Sequence, residues 1–260
     1  MTEAVYIVYM TLIGVAVGSF LNVVVDRLPL GQSLVRGRSH CDACLHPLAF
    51  YDLVPLFSYL WLRGRCRYCT AKIPWRVPLV EAVAGALFGW TAYQFGASLE
   101  TFVVLLSICV LIVIFFIDLE HQLILNVVLL VSLPVIAVLF PFGSIGSEYN
   151  AGEAYLRVLA GIGLGFGVML VIYIVFRGAM GEGDVKMGAL MGAAVGYPQV
   201  LAAFFVAFVA SGLVALGLMA FRGAGRKDAV PFGPFLAASV IAVLLARENL
   251  YSWYLDLFSF

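Results

Sequence analysis

The sequence predicts an all-α polytopic membrane protein of about eight transmembrane helices, with one small cytoplasmic polar module between the first two. Three observations predict it. Of 260 residues, 63% are hydrophobic and 12% charged, whereas soluble domains carry about 25% charged residues; mean hydropathy is +1.06. Apolar runs of spanning length recur along the chain, and a single long polar stretch, 26–76, interrupts them.

Spans are expected near 5–25, 77–96, 99–118, 123–141, 154–177, 185–198, 199–221 and 231–246, since crossing the hydrocarbon layer takes about 20 apolar residues. Three regions follow: a first transmembrane helix over 1–25, the polar module over 26–76, and a helical bundle over 77–260. The start, Met1 to Tyr9, carries Glu3 and no Lys or Arg. It lacks the basic region of a signal peptide and reads as a retained helix. The sixth run is short and rich in glycine, so it is expected to be tilted, broken or packed deep in the bundle. Within the module, the island Leu53–Leu62 is apolar but too short to span, which leaves core or interfacial roles.

Charge orients the chain. Arg27, Arg36, Arg38, Arg63, Arg65, Arg67, Lys72 and Arg76 fall in 26–76, and Arg177, Lys186, Arg222, Arg226 and Lys227 fall in loops on that side. Only Arg157 and Arg247 fall on the other. Thirteen against two places the module in the cytoplasm and both termini outside. Membrane lipid is the expected surrounding, and no nucleic-acid partner is expected.

The module holds Cys41-x-x-Cys44 and Cys66-x-x-Cys69. Two such knuckles supply four thiolates for a tetrahedral zinc ion, and disulfides are rare in the cytosol. His40 and His46 flank the first knuckle as possible substitute ligands. Four thiolates leave no open position, so the metal's role would be structural. Cys109, alone in the third span, reads as a small buried apolar residue.

Charged side chains are expensive at membrane depth and mark candidate functional sites. Asp118 ends the third span, Asp184 opens the sixth within Gly181-Glu182-Gly183-Asp184, and Glu81 lies early in the second. The fourth and fifth spans form a hairpin that returns the chain to the face of Asp118. Two carboxylates there could divide the work of hydrolysis, one activating water and the other protonating the carbonyl. Gly181 and Gly183 remove bulk beside Asp184 and would let a substrate backbone approach. The alternative is that both aspartates only end helices near headgroups. No HExxH motif is present, and Lys72, Lys186 and Lys227 have no obvious serine partner. Gly161, Gly163, Gly165 and Gly167 read as close-packing positions rather than a nucleotide loop, and Gly188, Gly192 and Gly196, on one face of the sixth span, read the same way. Glu120 and His121 are expected to face water or headgroups.

With these residues in hand, the chain resembles the bacterial type IV prepilin peptidases, which are membrane aspartyl proteases. The likeness rests on Gly18-Ser-Phe-Leu-Asn22, Arg27-Leu-Pro29, the two cysteine pairs, Asp52-Leu-Val-Pro-Leu56, Pro78-Leu-Val-Glu81, Asp118-Leu119, Gly181-Glu-Gly-Asp184 and Pro231-Phe-Gly-Pro-Phe-Leu236. It implies a bacterial inner-membrane protein that cleaves the basic leader of prepilins or pseudopilins at the cytoplasmic face through Asp118 and Asp184. It further implies N-methylation of the new terminus with S-adenosylmethionine, with Glu81 and the cysteine module serving that step. Glu81 could instead pair with a nearby arginine such as Arg76. Two residues depart from the family pattern: Leu125, where proline is common, and Glu182, where a small residue is common. A transporter or a membrane scaffold built on the zinc module are the competing classes.

Overall fold

The computed structural model describes residues 3–143, 145–176, 180–222 and 231–246. Arg177, Arg226, Lys227 and Arg247, which helped orient the chain, lie outside them. The described residues are helical, with no strand longer than an isolated bridge. The helices are α1 (Glu3–Arg27), α2 (Phe57–Trp61), α3 (Arg76–Phe95), α4 (Leu99–His121), α5 (Asn126–Leu139), α6 (Ala151–Val175), α7 (Glu182–Val195), α8 (Gln199–Arg222) and α9 (Gly233–Ala246). Each expected span coincides with one of them.

Among the described residues, five segments are long and apolar enough to cross a membrane: Glu3–Arg27, Leu99–His121, Asn126–Glu148, Ala151–Val175 and Gln199–Ala220. The chain is therefore a multi-pass membrane protein. α7 and α9 have 14 residues each. At 1.5 Å per residue such a helix rises about 21 Å, short of the roughly 30 Å hydrocarbon layer.

The chain forms two compact units, 1–97 and 98–260. In the first, α1 and α3 run antiparallel along their whole length. The Tyr6 hydroxyl donates to the Gly96 carbonyl at one end, and the Asn22 amide donates to the Val77 carbonyl at the other. Small residues let the two backbones meet. A Cβ at Gly18 would stand 2.8 Å from the Glu81 Cα, and one at Gly85 would stand 2.5 Å from a Val15 methyl. The segment between these helices folds as the cysteine module.

In the second unit α7 is the centre. Every residue from Met187 to Val195 is buried, which settles the short sixth run as a helix packed deep in the bundle. α6 and α7 meet through glycine. A Cβ at Gly165 would lie 2.1 Å from the Gly188 carbonyl oxygen, and one at Gly192 would lie 2.0 Å from that of Gly161. Among the described residues, Gly163 and Gly167 meet nothing within 4 Å, so alternate glycines of the Gly161–Gly167 run serve this contact. Gly196 instead ends α7 at φ 69, a conformation glycine adopts without a Cβ penalty.

Gly192→Val should therefore force the two helices apart, with a loss of about 3 kcal/mol or more for a clash against backbone that cannot give. Gly163→Val should be close to neutral. Thermal unfolding of the detergent-solubilised full chain checks this; equal midpoints for the two variants would contradict the packing.

Candidate active site and cysteine module

Asp118 occupies the last turn of α4, the most buried of the candidate spans. Its residue is 6% exposed. The helix stops at Gln122, which adopts the left-handed conformation (φ 51) and donates its N–H to the Asp118 carbonyl at 2.9 Å. The N-terminus of α9 closes over the carboxylate. The Gly233 N–H donates to it, and a Cβ at Gly233 would stand 2.5 Å from Oδ2. Phe232 holds that segment in place by stacking on Phe208, with centroids 5.5 Å apart.

Asp184 lies in the first turn of α7. Its Oδ2 accepts the N–H of Gly181, the N-cap residue, at 3.2 Å. This satisfies one of the donors that a helix start leaves unpaired, and a carboxylate is favoured at the positive end of the helix dipole. Asp184 thus caps its helix from inside the first turn while one face of the residue remains in a cavity. The same cavity, about 590 Å³, is lined by Asp118, Gln122, Ile124, Gly181, Glu182, Asp184, Lys186, Pro231 and Phe232. The charges of the two aspartates interact across it. The α4 C-terminus and the α5, α7 and α9 N-termini all meet there.

The glycines beside Asp184 divide their roles. A Cβ at Gly181 would make only ordinary contacts, 3.7 Å from Asp184 Oδ2, whereas a Cβ at Gly183 would meet the Ile124 Cβ at 2.8 Å. Gly183 therefore seats the α4–α5 loop rather than a substrate. The departures from the family pattern are mild in shape. Leu125 has φ −73, a value proline also adopts. Glu182 is exposed in the first turn of α7. Glu120 and His121 are exposed as expected, and Cys109 is only half-buried. Lys186 Nζ donates to Asn126 Oδ1 at 2.9 Å and ties α7 to the start of α5. This pair also borders a second, apolar cavity of about 400 Å³ lined by Leu129, Leu130, Leu133, Pro134, Phe166 and Ala189.

In the first unit the four cysteines converge. Their sulfurs all lie within 4.8 Å of one another, and Cys41 Sγ is 3.7 Å from Cys69 Sγ. The two knuckles repeat one turn. The Cys41 N–H donates to the His46 carbonyl and the Leu45 N–H to the Cys41 carbonyl; Cys66, Ala71 and Thr70 repeat the pattern. Leu45 (φ 57) and Thr70 (φ 61) both take the left-handed conformation there. The Cys44 backbone N–H draws the Cys41 thiol down to about 7. For Cys69, the Ala71 N–H favours the thiolate, but burial and the three neighbouring thiols push it up to about 12. Four thiols this close ionise together only around a cation, and the cluster is able to hold a metal ion. Neither flanking histidine joins it: His46 packs against Tyr68, with ring centroids 3.8 Å apart.

Asp52 braces the module. It accepts Arg67 Nε at 2.7 Å, the Tyr68 hydroxyl at 3.1 Å and the Ala49 N–H at 3.3 Å. Glu81, 4% exposed on α3, accepts the Leu56 N–H at 2.7 Å and a hydrogen bond from Ser19. Arg76 donates to Asn22 and to Asp26. Sequence reasoning held Gly233 only within the Pro231–Leu236 motif and missed its contact with Asp118, and it missed the Lys186–Asn126 pair. The Gly233-Pro234 step at the start of an apolar run was the available signal for the first, as a helix start; for the second there was none.

These features define a multi-pass membrane protein with paired carboxylates in an end-on cavity and a four-thiolate module. Residues 12–95 match the bacterial peptidase A24 N-terminal domain, and residues 105–216 match the type IV leader peptidase family. The prepilin leader peptidase/N-methyltransferase of Bacillus subtilis (strain 168) is 31% identical over 244 residues, covering 94% of this chain and 96% of the relative. Proteins of the same name from Myxococcus xanthus (strain DK1622), 37% identical over 85% of this chain and 65% of the relative, and from Pseudomonas putida, 30% identical over 100% and 97%, are also similar. No solved structure matches. The chain belongs to the type IV leader peptidase family.

Asp52 supplies a test of the module. Burial opposes its charge, but hydrogen bonds from Arg67, the Ala49 N–H and Tyr68 outweigh it and hold the carboxyl below its usual range. A depressed folded value means the contribution is complete above the unfolded value of about 3.9 and is lost as pH falls through the folded one. Asp52→Asn should speed hydrogen exchange over 49–72 at pH 7, and the difference from wild type should close below about pH 4. A difference that persists undiminished there would contradict the assignment.

Proposed function

We propose that the chain is a membrane aspartyl endopeptidase that removes the leader from type IV prepilins or pseudopilins, with Asp118 and Asp184 as its catalytic pair. The observation that carries this is their convergence on one cavity from the ends of two largely buried helices. One carboxylate, ionised, takes a proton from water as the water oxygen attacks the scissile carbonyl carbon. The other, protonated, donates to the carbonyl oxygen. Collapse of the resulting gem-diol returns that proton, the leaving nitrogen takes one from the first aspartate, and the C–N bond breaks. The Gly233 N–H orients Asp118 and the Gly181 N–H orients Asp184. The site works at the cytoplasmic face of a bacterial inner membrane, with both termini outside, by the positive-inside argument. The apolar cavity beyond Lys186 and Asn126 is placed to take an apolar flank of the substrate.

Zinc is the metal proposed for Cys41, Cys44, Cys66 and Cys69. A tetrahedral ion with Zn–S near 2.3 Å sets sulfurs about 3.8 Å apart, close to the 3.7 Å between Cys41 and Cys69. All four positions would be sulfur, so the ion would hold the fold and take no part in hydrolysis. A second activity, N-methylation of the new terminus, follows from the names of the relatives. S-adenosylmethionine would supply the methyl group. Glu81, at the root of the module, is the buried carboxylate proposed to accept the proton that the substrate ammonium must lose.

Asp118→Asn and Asp184→Asn should each abolish cleavage of a prepilin-like substrate with folding retained. Gly233→Ala should reduce it about 100-fold, since a displacement near 1 Å at a catalytic group costs that much. Near-normal cleavage by either asparagine variant, read by mass, would sink the pair.

Elemental analysis should find one zinc per chain, lost in the Cys41→Ser/Cys66→Ser double variant, and Glu81→Gln should lose methylation with cleavage kept. Intact metal in the double variant would contradict the cysteine assignment. Joint loss of both activities in Glu81→Gln would make Glu81 a structural residue.

A further inference from the structure

The ten-residue island Leu53–Leu62 left two readings open, core or interface, and the structure excludes the first. In α2, Phe57 is 61% exposed, Leu60 73% and Trp61 71%. Spacings of three and four residues put all three on one face of the helix, and the rings of Phe57 and Trp61 stack at 5.9 Å. Phe50, 82% exposed, extends the apolar surface. A solvated domain does not display aromatic surface of this kind without something to cover it.

The covering surface follows from where the patch is pinned. Leu56, the residue that starts α2, donates its N–H to Glu81 on α3. Glu81 lies little more than one turn into that helix, and α3 runs beside α1 from end to end. α1 is long and apolar enough to cross a membrane, so the partner that shares its whole length lies in the same layer. The patch is therefore tethered at the depth where α3 enters the bilayer. Trp75, the N-cap residue of α3, is 69% exposed at that level, where tryptophan is enriched in membrane proteins. Arg63 and Arg65 follow α2 directly, and Lys72 comes from the second knuckle; all three are exposed. Basic side chains beside an apolar face are what an anionic leaflet attracts.

We propose that α2 is an interfacial anchor: Phe57, Leu60 and Trp61 insert into the headgroup–acyl boundary of the leaflet that α3 enters, with Arg63, Arg65 and Lys72 on anionic headgroups. The cysteine module then rests on lipid rather than projecting into water. This holds whether or not the peptidase assignment does, since it uses only the first unit.

Trp61 is its own probe. The full chain and its Trp61→Phe variant are reconstituted into bilayers of acyl-brominated lipid, one set rich in phosphatidylglycerol and one purely phosphatidylcholine. Because the side chain is exposed, the substitution leaves the fold intact, and the difference in emission reports Trp61 alone. At least half of that difference should be quenched in the anionic bilayer, and less in the zwitterionic one. No quenching in either would overturn the anchor and leave the patch covered by a second copy, by another part of the chain, or by water. Equal quenching in both would overturn the role given to the basic residues. The Phe57→Asp/Leu60→Asp variant, with Trp61 retained, should lose the quenching while still holding its metal; quenching that survives would also overturn the proposal.

Discussion

The contact that the second unit depends on is backbone against backbone, at Gly161 and Gly165 of α6 and Gly188 and Gly192 of α7. In lipid there is no hydrophobic drive to bring two apolar helices together, so close packing and satisfied polar groups must do it. Four missing side chains let α7 sink until Met187 to Val195 are all buried. Only then does its first turn, with Asp184, come level with the last turn of α4, where Asp118 sits. A methyl group on any of the four would move the carboxylate that rides on α7. The candidate active site is in this sense built from glycine first and aspartate second.

Both aspartates lie at helix ends rather than along the spans. α4 and α7 are both largely buried, and each presents its aspartate at a terminus, where unpaired backbone groups are available. Asp184 takes the Gly181 N–H and Asp118 takes that of Gly233. The same donors that a helix start must place somewhere become the clamps that fix two carboxylates around one cavity. Gly233 shows how little room remains, since its missing side chain is what lets α9 close on Asp118.

Much of this was legible in the residues. Carboxylates in apolar runs stand out because burying them is costly, so Asp118, Asp184 and Glu81 could be singled out, and paired Cys-x-x-Cys spacing specifies a ligand set by itself. Helix number followed from hydropathy. What was not legible depends on which faces meet. Gly163 and Gly167 look identical to Gly161 and Gly165 in sequence, yet face nothing. Gly14, Gly85 and Gly89 carry the α1–α3 contact without having attracted notice, and Gly18 was noted only as part of a family motif. Gly183 reads as room for a substrate and is instead filled by Ile124. The island around α2 could have been core until its exposure was known. Each of these requires the partner surface, which composition and periodicity do not contain.

The central claim is that Asp118 and Asp184 act together on one scissile amide within one cavity. It is tested most directly by the structure of the full chain bound to a prepilin-like peptide whose scissile amide is replaced by a hydroxyethylene group. That hydroxyl imitates the attacked carbonyl, and it should lie within hydrogen-bond distance of both carboxylates, with the Gly233 and Gly181 donors still engaged. A peptide bound with its hydroxyl away from either aspartate, or seated on the cysteine module, would contradict the account.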